Sequence, residues 1–127
     1  MKADKPNTRA IGRTAEELAV AFLMTKGYRI VTTNWHFGHL ELDIVAVDQQ
    51  VLVVVEVKSR VGVAFEHPTD AISNRKIRMV IEAADAWIAS SGWAGDTRFD
   101  LIAIVFDDYS ARRHSLEHFV DAFNPEA

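Results

Sequence analysis

The chain has no cysteine, which excludes disulfide frameworks, zinc ribbons and thiol catalysis. It has no long apolar run either. Its apolar runs, such as Leu18 to Met24 and Leu101 to Phe106, are far too short to cross a bilayer. The first residues, Met1 to Asn7, are polar and lack the apolar centre of a secretory signal. No repeat or low-complexity segment is present, and neither a phosphate-cradling glycine loop nor a serine-centred elbow occurs. A cytoplasmic location is the default expectation. A net charge of −4 argues against a protein that coats nucleic acid nonspecifically, since such binding rests on phosphate neutralisation. Local contact with nucleic acid stays open, because most of the acidic excess lies in residues 107–127.

What remains is 127 residues, 49% hydrophobic and 25% charged, the profile of a single globular domain. We set that domain at residues 8–123, with flexible termini at 1–7 and 124–127. Helical spacing of Ala15, Leu18, Ala19, Phe22 and Leu23 predicts a helix from Thr8 to Lys26, stopped by Gly27. Tyr28 to Thr33 reads as a strand. Leu40–Val47 and Val51–Lys58 form an antiparallel hairpin through a short turn. Ser59 to Thr69 reads as a loop. Ser73 is a fair N-cap for a helix reaching Ala89, with a stripe of Ile77, Val80, Ile81, Ala84 and Ile88. Phe99 to Phe106 suits a strand buried on both faces, parallel to the third through the helical crossover. Arg112–Val120 would add an edge strand. The expected class is α/β, a mixed sheet flanked by helices in the order α-β-β-β-α-β.

Strand three is almost wholly apolar until Glu56, and an ionised carboxylate there is costly unless compensated. Alternation puts Glu56 and Lys58 on one face, and Glu41 and Asp43 on one face of strand two. The short turn can then bring Asp43 beside Glu56. Two carboxylates so placed repel, and a divalent cation with hard oxygen ligands and open water positions relieves them. On this reading Asp43 and Glu56 hold Mg2+ or Mn2+, and Lys58 orients a water or stabilises phosphate charge. The opposing reading is a structural ion pair of Lys58 with Glu56 or Asp43. An acid two residues before a lysine is common, roughly 0.7 cases in a shuffle of this composition.

Glu16 is a candidate to turn inward from the first helix, whereas Glu17 reads as solvated. His39 shares the parity of Glu41 and Asp43, so both His39 and Glu41 are counted as adjacent to the site. Asp100 interrupts the buried fourth strand and reads as structural, paired with Arg98 or capping a neighbouring turn. Arg13, Arg60, Arg75, Lys76 and Arg78 form a candidate phosphate-binding rim, three of them in the first turns of helix two.

These residues resemble a known family. Asp43, followed thirteen positions later by Glu56-Val57-Lys58, is similar to the core of the PD-(D/E)xK nuclease superfamily. The chain looks most like its YraN family of small bacterial proteins, which are similar to archaeal Holliday junction resolvases. Further marks are Gly12-Arg13, Glu16, Ala19, Gly27-Tyr28, Asn34, Glu41, Lys76, Arg98-Phe99-Asp100, Leu116-Glu117-His118 and Ala122-Phe123. The resemblance implies a restriction-endonuclease-like fold, Asp43 and Glu56 as metal-binding acids, Lys58 as catalytic lysine and Glu16 as the helix-one glutamate of resolvase sites. It implies a metal-dependent nuclease acting on DNA, with branched DNA among the substrates, and by analogy a homodimer. The chain departs from the pattern at Leu42, where the superfamily has proline, and at Leu40 and Ala15, where the family has glycine. Two other classes stand beside the enzyme: a catalytically silent nucleic-acid-binding module, and a protein-interaction subunit with the same fold.

Overall fold

The computed structural model describes residues 7–124, with Pro68 and Thr69 described by backbone alone. The elements are α1 (Thr8–Thr25), β1 (Arg29–Phe37), β2 (Leu40–Asp48), β3 (Val51–Val61), a 3-10 turn (Pro68–Ala71), α2 (Asn74–Ser91), β4 (Thr97–Phe106) and β5 (His114–Phe123). The sheet has the order β1-β2-β3-β4-β5. All neighbours run antiparallel except β3 and β4, which are parallel because α2 carries the chain back between them.

One helix covers each face. Ile11, Ala15, Ala19 and Leu23 of α1 pack on Ile44, Ala46, Val53, Val55, Ile102, Ile104 and Phe106. On the other face Val80, Ala83 and Ala84 of α2 pack on Leu42, Val45, Val47, Leu52, Val54, Phe99 and Leu101. β3 and β4 lie between these layers, and their Val/Ile/Leu runs follow from burial on both sides.

Several boundaries differ from the expectations. β1 runs on to Phe37, because the two-residue Gly38–His39 turn pairs Phe37 with Leu40 and makes β1–β2 a hairpin. Gly38, at φ +62°, supplies the left-handed backbone that such a turn needs. β3 extends past Lys58 to Val61, held by β4 through the Val61–Phe106 register. β5 starts at His114 and ends at Phe123, two to three residues later than expected. A 3-10 turn occupies part of the expected loop.

The helix signals were sharper. Ser73 Oγ accepts from Lys76 N–H at 3.1 Å, and Gly92 caps the far end of α2 in the left-handed region. The termini expected to be flexible lie outside the described residues, apart from Asn7 and Asn124. Asn7 has a defined role: its Oδ1 caps α1 by accepting from Ala10 N–H at 2.9 Å.

Candidate metal and nucleic-acid site

The β2–β3 ladder stops at Ile44 opposite Val55. One further step in register would set Asp43 opposite Glu56. At this point β2 changes face. Leu40 and Leu42 share the α2 side with Val45 and Val47, while Ile44 and Ala46 face α1. Asp43 fills the opening: its Oδ2 accepts from Val57 N–H at 2.9 Å, a backbone donor of β3 that no longer has a ladder partner from β2. Across from the break, Asn34 of β1 takes φ +51°, between the Thr33–Ile44 and Trp35–Leu42 pairs.

Asp43 and Glu56 are both buried, 8% and 4% exposed, and their carboxyl groups are in hydrogen-bonding contact. Burial pushes the Glu56 carboxyl up, the Asp43 charge adds to this, and Glu56 stands at about 8. Burial also raises Asp43, with the Val57 N–H and Lys76 opposing. Glu56 therefore keeps its proton at neutral pH and donates it to Asp43. Glu16, half-buried on α1, is raised by burial, while its bond to the Asn34 side chain pulls the other way. The charges of Asp43 and Glu41 also reach Glu16, so the helix-one glutamate does turn toward the acids.

The cation on the acids is Lys76. Its Nζ lies 3.6 Å from Glu56 Oε1 and 3.9 Å from Glu41 Oε1. The Ser73 cap fixes the first turn of α2 and aims Lys76 back at the sheet. Lys58 follows Glu56 on the same face and lowers its carboxyl through charge. Among the described residues, Lys58 has no carboxylate within ion-pair distance, so the structural pair considered from the sequence does not form.

The other expected site residues separate into groups. Arg75 and Arg78 are exposed on either side of Lys76. Arg13 is exposed on α1 and lines a shallow depression of about 330 Å³ with Glu16 and Asn34. Arg60 is half-buried, its guanidinium 4.2 Å from the Phe65 ring centre. His39 sits exposed in the β1–β2 turn and makes no described contact with the acids. The histidine beside Glu41 is His36, with Nδ1 3.8 Å from Oε2. Strand parity alone did not point to His36, because it did not include the turn at Gly38–His39.

Asp100 belongs to a separate network on the α1 side of the sheet. It accepts from Arg98 Nε at 2.9 Å, Asp121 N–H at 2.9 Å and His118 Nε2 at 2.7 Å. Lys26 Nζ lies 2.9 Å from His118 Nδ1, and lysine has only donors, so this ring accepts at Nδ1 and donates at Nε2. Arg98 Nη2 also donates to the Tyr28 hydroxyl at 2.8 Å. This network ties α1, β4 and β5 together, with Asp100 as its structural centre.

Among the described residues no three acidic or imidazole side chains converge as a ready metal cage. The donor set nevertheless fits a hard divalent ion that keeps most of its waters: two buried carboxyls in contact, sharing a proton that a cation would displace. Asp43 and Glu56 are the residues to hold it.

Comparison with known proteins covers this site. Residues 15–104 match the model of a family described as "Uncharacterised protein family UPF0102". A UPF0102 protein of Flavobacterium psychrophilum is 40% identical over 114 residues, 89% of this chain and 92% of its own. One from Chlorobium chlorochromatii is 41% identical over 122 residues, 93% of this chain and 95% of its own. One from Nitratidesulfovibrio vulgaris is 39% identical over 116 residues, covering 91% and 84%. The match runs from α1 into β4 and takes in Glu16, Asp43, Glu56, Lys58 and Lys76, and with relatives similar along nearly their whole length, the chain belongs to the UPF0102 family.

Proposed function

We propose that this chain is a metal-dependent nuclease that hydrolyses phosphodiester bonds in DNA, branched DNA included. The observation that carries the reading is the contact between Asp43 and Glu56, two carboxyls buried side by side with lysines on the same surface. A bound Mg2+ or Mn2+ supplies Lewis-acid stabilisation of phosphoryl charge. Lys58 orients the attacking water or meets charge on the phosphate. The water oxygen bonds to phosphorus, the bond to the leaving sugar oxygen breaks, and that oxygen takes up a proton. Arg75 and Arg78, exposed in the first turns of α2, the helix that carries Lys76, hold neighbouring phosphates. Two strands cut at a junction need two sites, which favours a homodimer. No helix among the described residues is long and apolar enough to cross a membrane. With no cysteine in the chain, we place the protein in the cytoplasm.

One observation favours the silent-module alternative: Lys76 already supplies a cation to Glu56. A cleavage screen with magnesium and manganese over linear, flapped and four-way DNA decides between them. Cleavage lost in Glu56→Ala supports the enzyme. Binding without cleavage under every condition supports the module. If no nucleic acid binds even at low salt, the protein-interaction reading replaces both.

A further inference from the structure

Beside the acids, on the same face of the sheet, lies a cavity of about 160 Å³ that the reading above does not use. Register sets Lys58, Ala103 and Glu117 side by side across β3, β4 and β5, and sets Arg60, Val105 and Ser115 in the next row. Ala103 and Val105 form the cavity floor, and the small Ala103 leaves the space above it open. Phe119 of β5 and Phe65, from the loop after β3, supply aromatic walls. The Arg60 guanidinium 4.2 Å from the Phe65 ring centre steadies that ring. Glu66, His67, Ser115 and Glu117 supply the polar part of the lining.

The lining defines the occupant by chemistry. The two glutamates disfavour a phosphate inside the cavity, although Arg60 of the basic rim stands in the row beside it. A purely aliphatic group would leave those acceptors unused. A flat ring with π faces for the phenylalanines and N–H donors for the carboxylates satisfies both. Adjacent strands lie about 4.8 Å apart, so the floor begins one strand from Lys58, within reach of a base attached to a phosphate held there. A base enters such a cavity only when it is out of the duplex stack.

We propose that this cavity receives the nucleobase of an unpaired nucleotide next to the phosphate at Glu56 and Lys58, with preference for bases that carry an exocyclic amino group. The inference deepens the nuclease reading and rests on it for the position of the phosphate. It makes the substrate a nucleic acid with an unpaired adenine, cytosine or guanine at the cut.

Fluorescence anisotropy with labelled oligo(dC) and oligo(dT) of equal length, in EDTA, tests it without cleavage. Cytosine presents an exocyclic amino group at C4, where thymine presents a carbonyl; thymine also differs in its N3–H and its 5-methyl group, so oligo(dU) is run beside oligo(dT) to remove the methyl. The full chain should bind oligo(dC) at least about fivefold tighter. Phe65→Ala should weaken both by about tenfold, and Glu117→Ala should bring their ratio close to one. Glu117 is exposed on an edge strand, so that variant carries the test even if Phe65→Ala fails to fold. Equal affinities in the unmodified chain, or a preference that survives Glu117→Ala, overturns the proposal. A Glu117-dependent preference with no DNA cut under any metal would retain the base site and remove the nuclease. Cleavage without base preference would do the reverse.

Discussion

Lys76 Nζ lies 3.6 Å from Glu56 Oε1, a contact between the first turn of α2 and the buried end of β3. It makes Lys76 part of the acid site, where the sequence assigned it to an outer phosphate rim. Lysine at this distance favours the ionised form of Glu56, yet burial and Asp43 outweigh it and the carboxyl remains raised.

The first prediction follows from that balance. Lys76→Met removes the opposing charge, so the Glu56 carboxyl should titrate higher still, above about 8. Carbon-13 NMR of the glutamate carboxyl across a pH series reads it directly. An unchanged titration would mean that Lys76 is held by Glu41 alone, which lies 3.9 Å away.

Stability without metal should depend on pH through the same group. Glu56 is raised from an ordinary 4.5 to about 8, so the folded state holds its proton more tightly than the unfolded state. Its stabilising effect is complete below about 4.5 and is lost as pH rises through 8. Glu56→Gln removes the Glu56 share of that slope, leaving what buried Asp43 adds, and should be more stable than the parent at pH 8, by roughly 1–3 kcal/mol. Urea melts in EDTA at pH 5 and pH 8 measure both effects. Strong destabilisation of Glu56→Gln at pH 8 would make Glu56 a structural ion-pair member.

Titration also bears on metal binding. A divalent ion at Asp43 and Glu56 must displace the proton on Glu56, so affinity should rise with pH until about 8 and then level off. Calorimetry with manganese in two buffers of different ionisation enthalpy should show proton release near pH 7 and little at pH 9. Release independent of pH would place the ion elsewhere.

Much of the fold was legible because each element carried its own signal. Ser73 and Gly92 mark the ends of α2, and the apolar Phe99–Phe106 run, without polar alternation apart from Asp100, suits a strand buried on both faces. The acid site was legible in its members but not in its geometry. Strict alternation along β2 assumes an unbroken strand, and this one changes face at Asp43, opposite the left-handed Asn34. No local pattern announces such a break, since it depends on pairing with both neighbours. The direction of Lys76 was not legible for a related reason: a lysine in a first helical turn looks the same whether the helix points it outward or back at the sheet. The Asp100–His118–Lys26 chain joins residues far apart in sequence, so only the Arg98–Asp100 part of it was visible in advance.

Asp100 gives a prediction independent of the acid site. Burial alone would raise its carboxyl, but bonds from His118, Arg98 and Asp121 N–H outweigh this and hold it below the usual carboxylate range. Its contribution is therefore present above about 4 and lost as pH falls below that. Asp100→Ala leaves Arg98 and His118 without their shared acceptor and should cost about 3–5 kcal/mol at neutral pH. Urea melts give the loss. Manganese affinity of the fraction that stays folded should not change.

Docking and chemistry should separate cleanly between Arg75, Arg78 and Lys58. With a net charge of −4 the chain has no long-range pull on DNA, so affinity must come from local phosphate contacts and fall steeply with salt. Arg75 and Arg78 are exposed in the first turns of α2, and each phosphate contact contributes about one unit to the slope of log affinity against log salt. Replacing both with alanine should therefore flatten that slope by about two units and weaken all sequences alike, because phosphates carry no sequence information. Lys58 is different. It follows Glu56 on the same face and has no carboxylate holding it, so its charge is available to a reacting phosphate. Lys58→Ala should keep most of the binding and lose about a hundredfold or more in single-turnover cleavage, the mark of an interaction that strengthens in the transition state. Titrations at several salt concentrations beside single-turnover rates measure the two effects on the same samples. If Lys58→Ala abolishes binding while bound complexes cleave at the unmodified rate, Lys58 is a docking residue and the catalytic assignment fails.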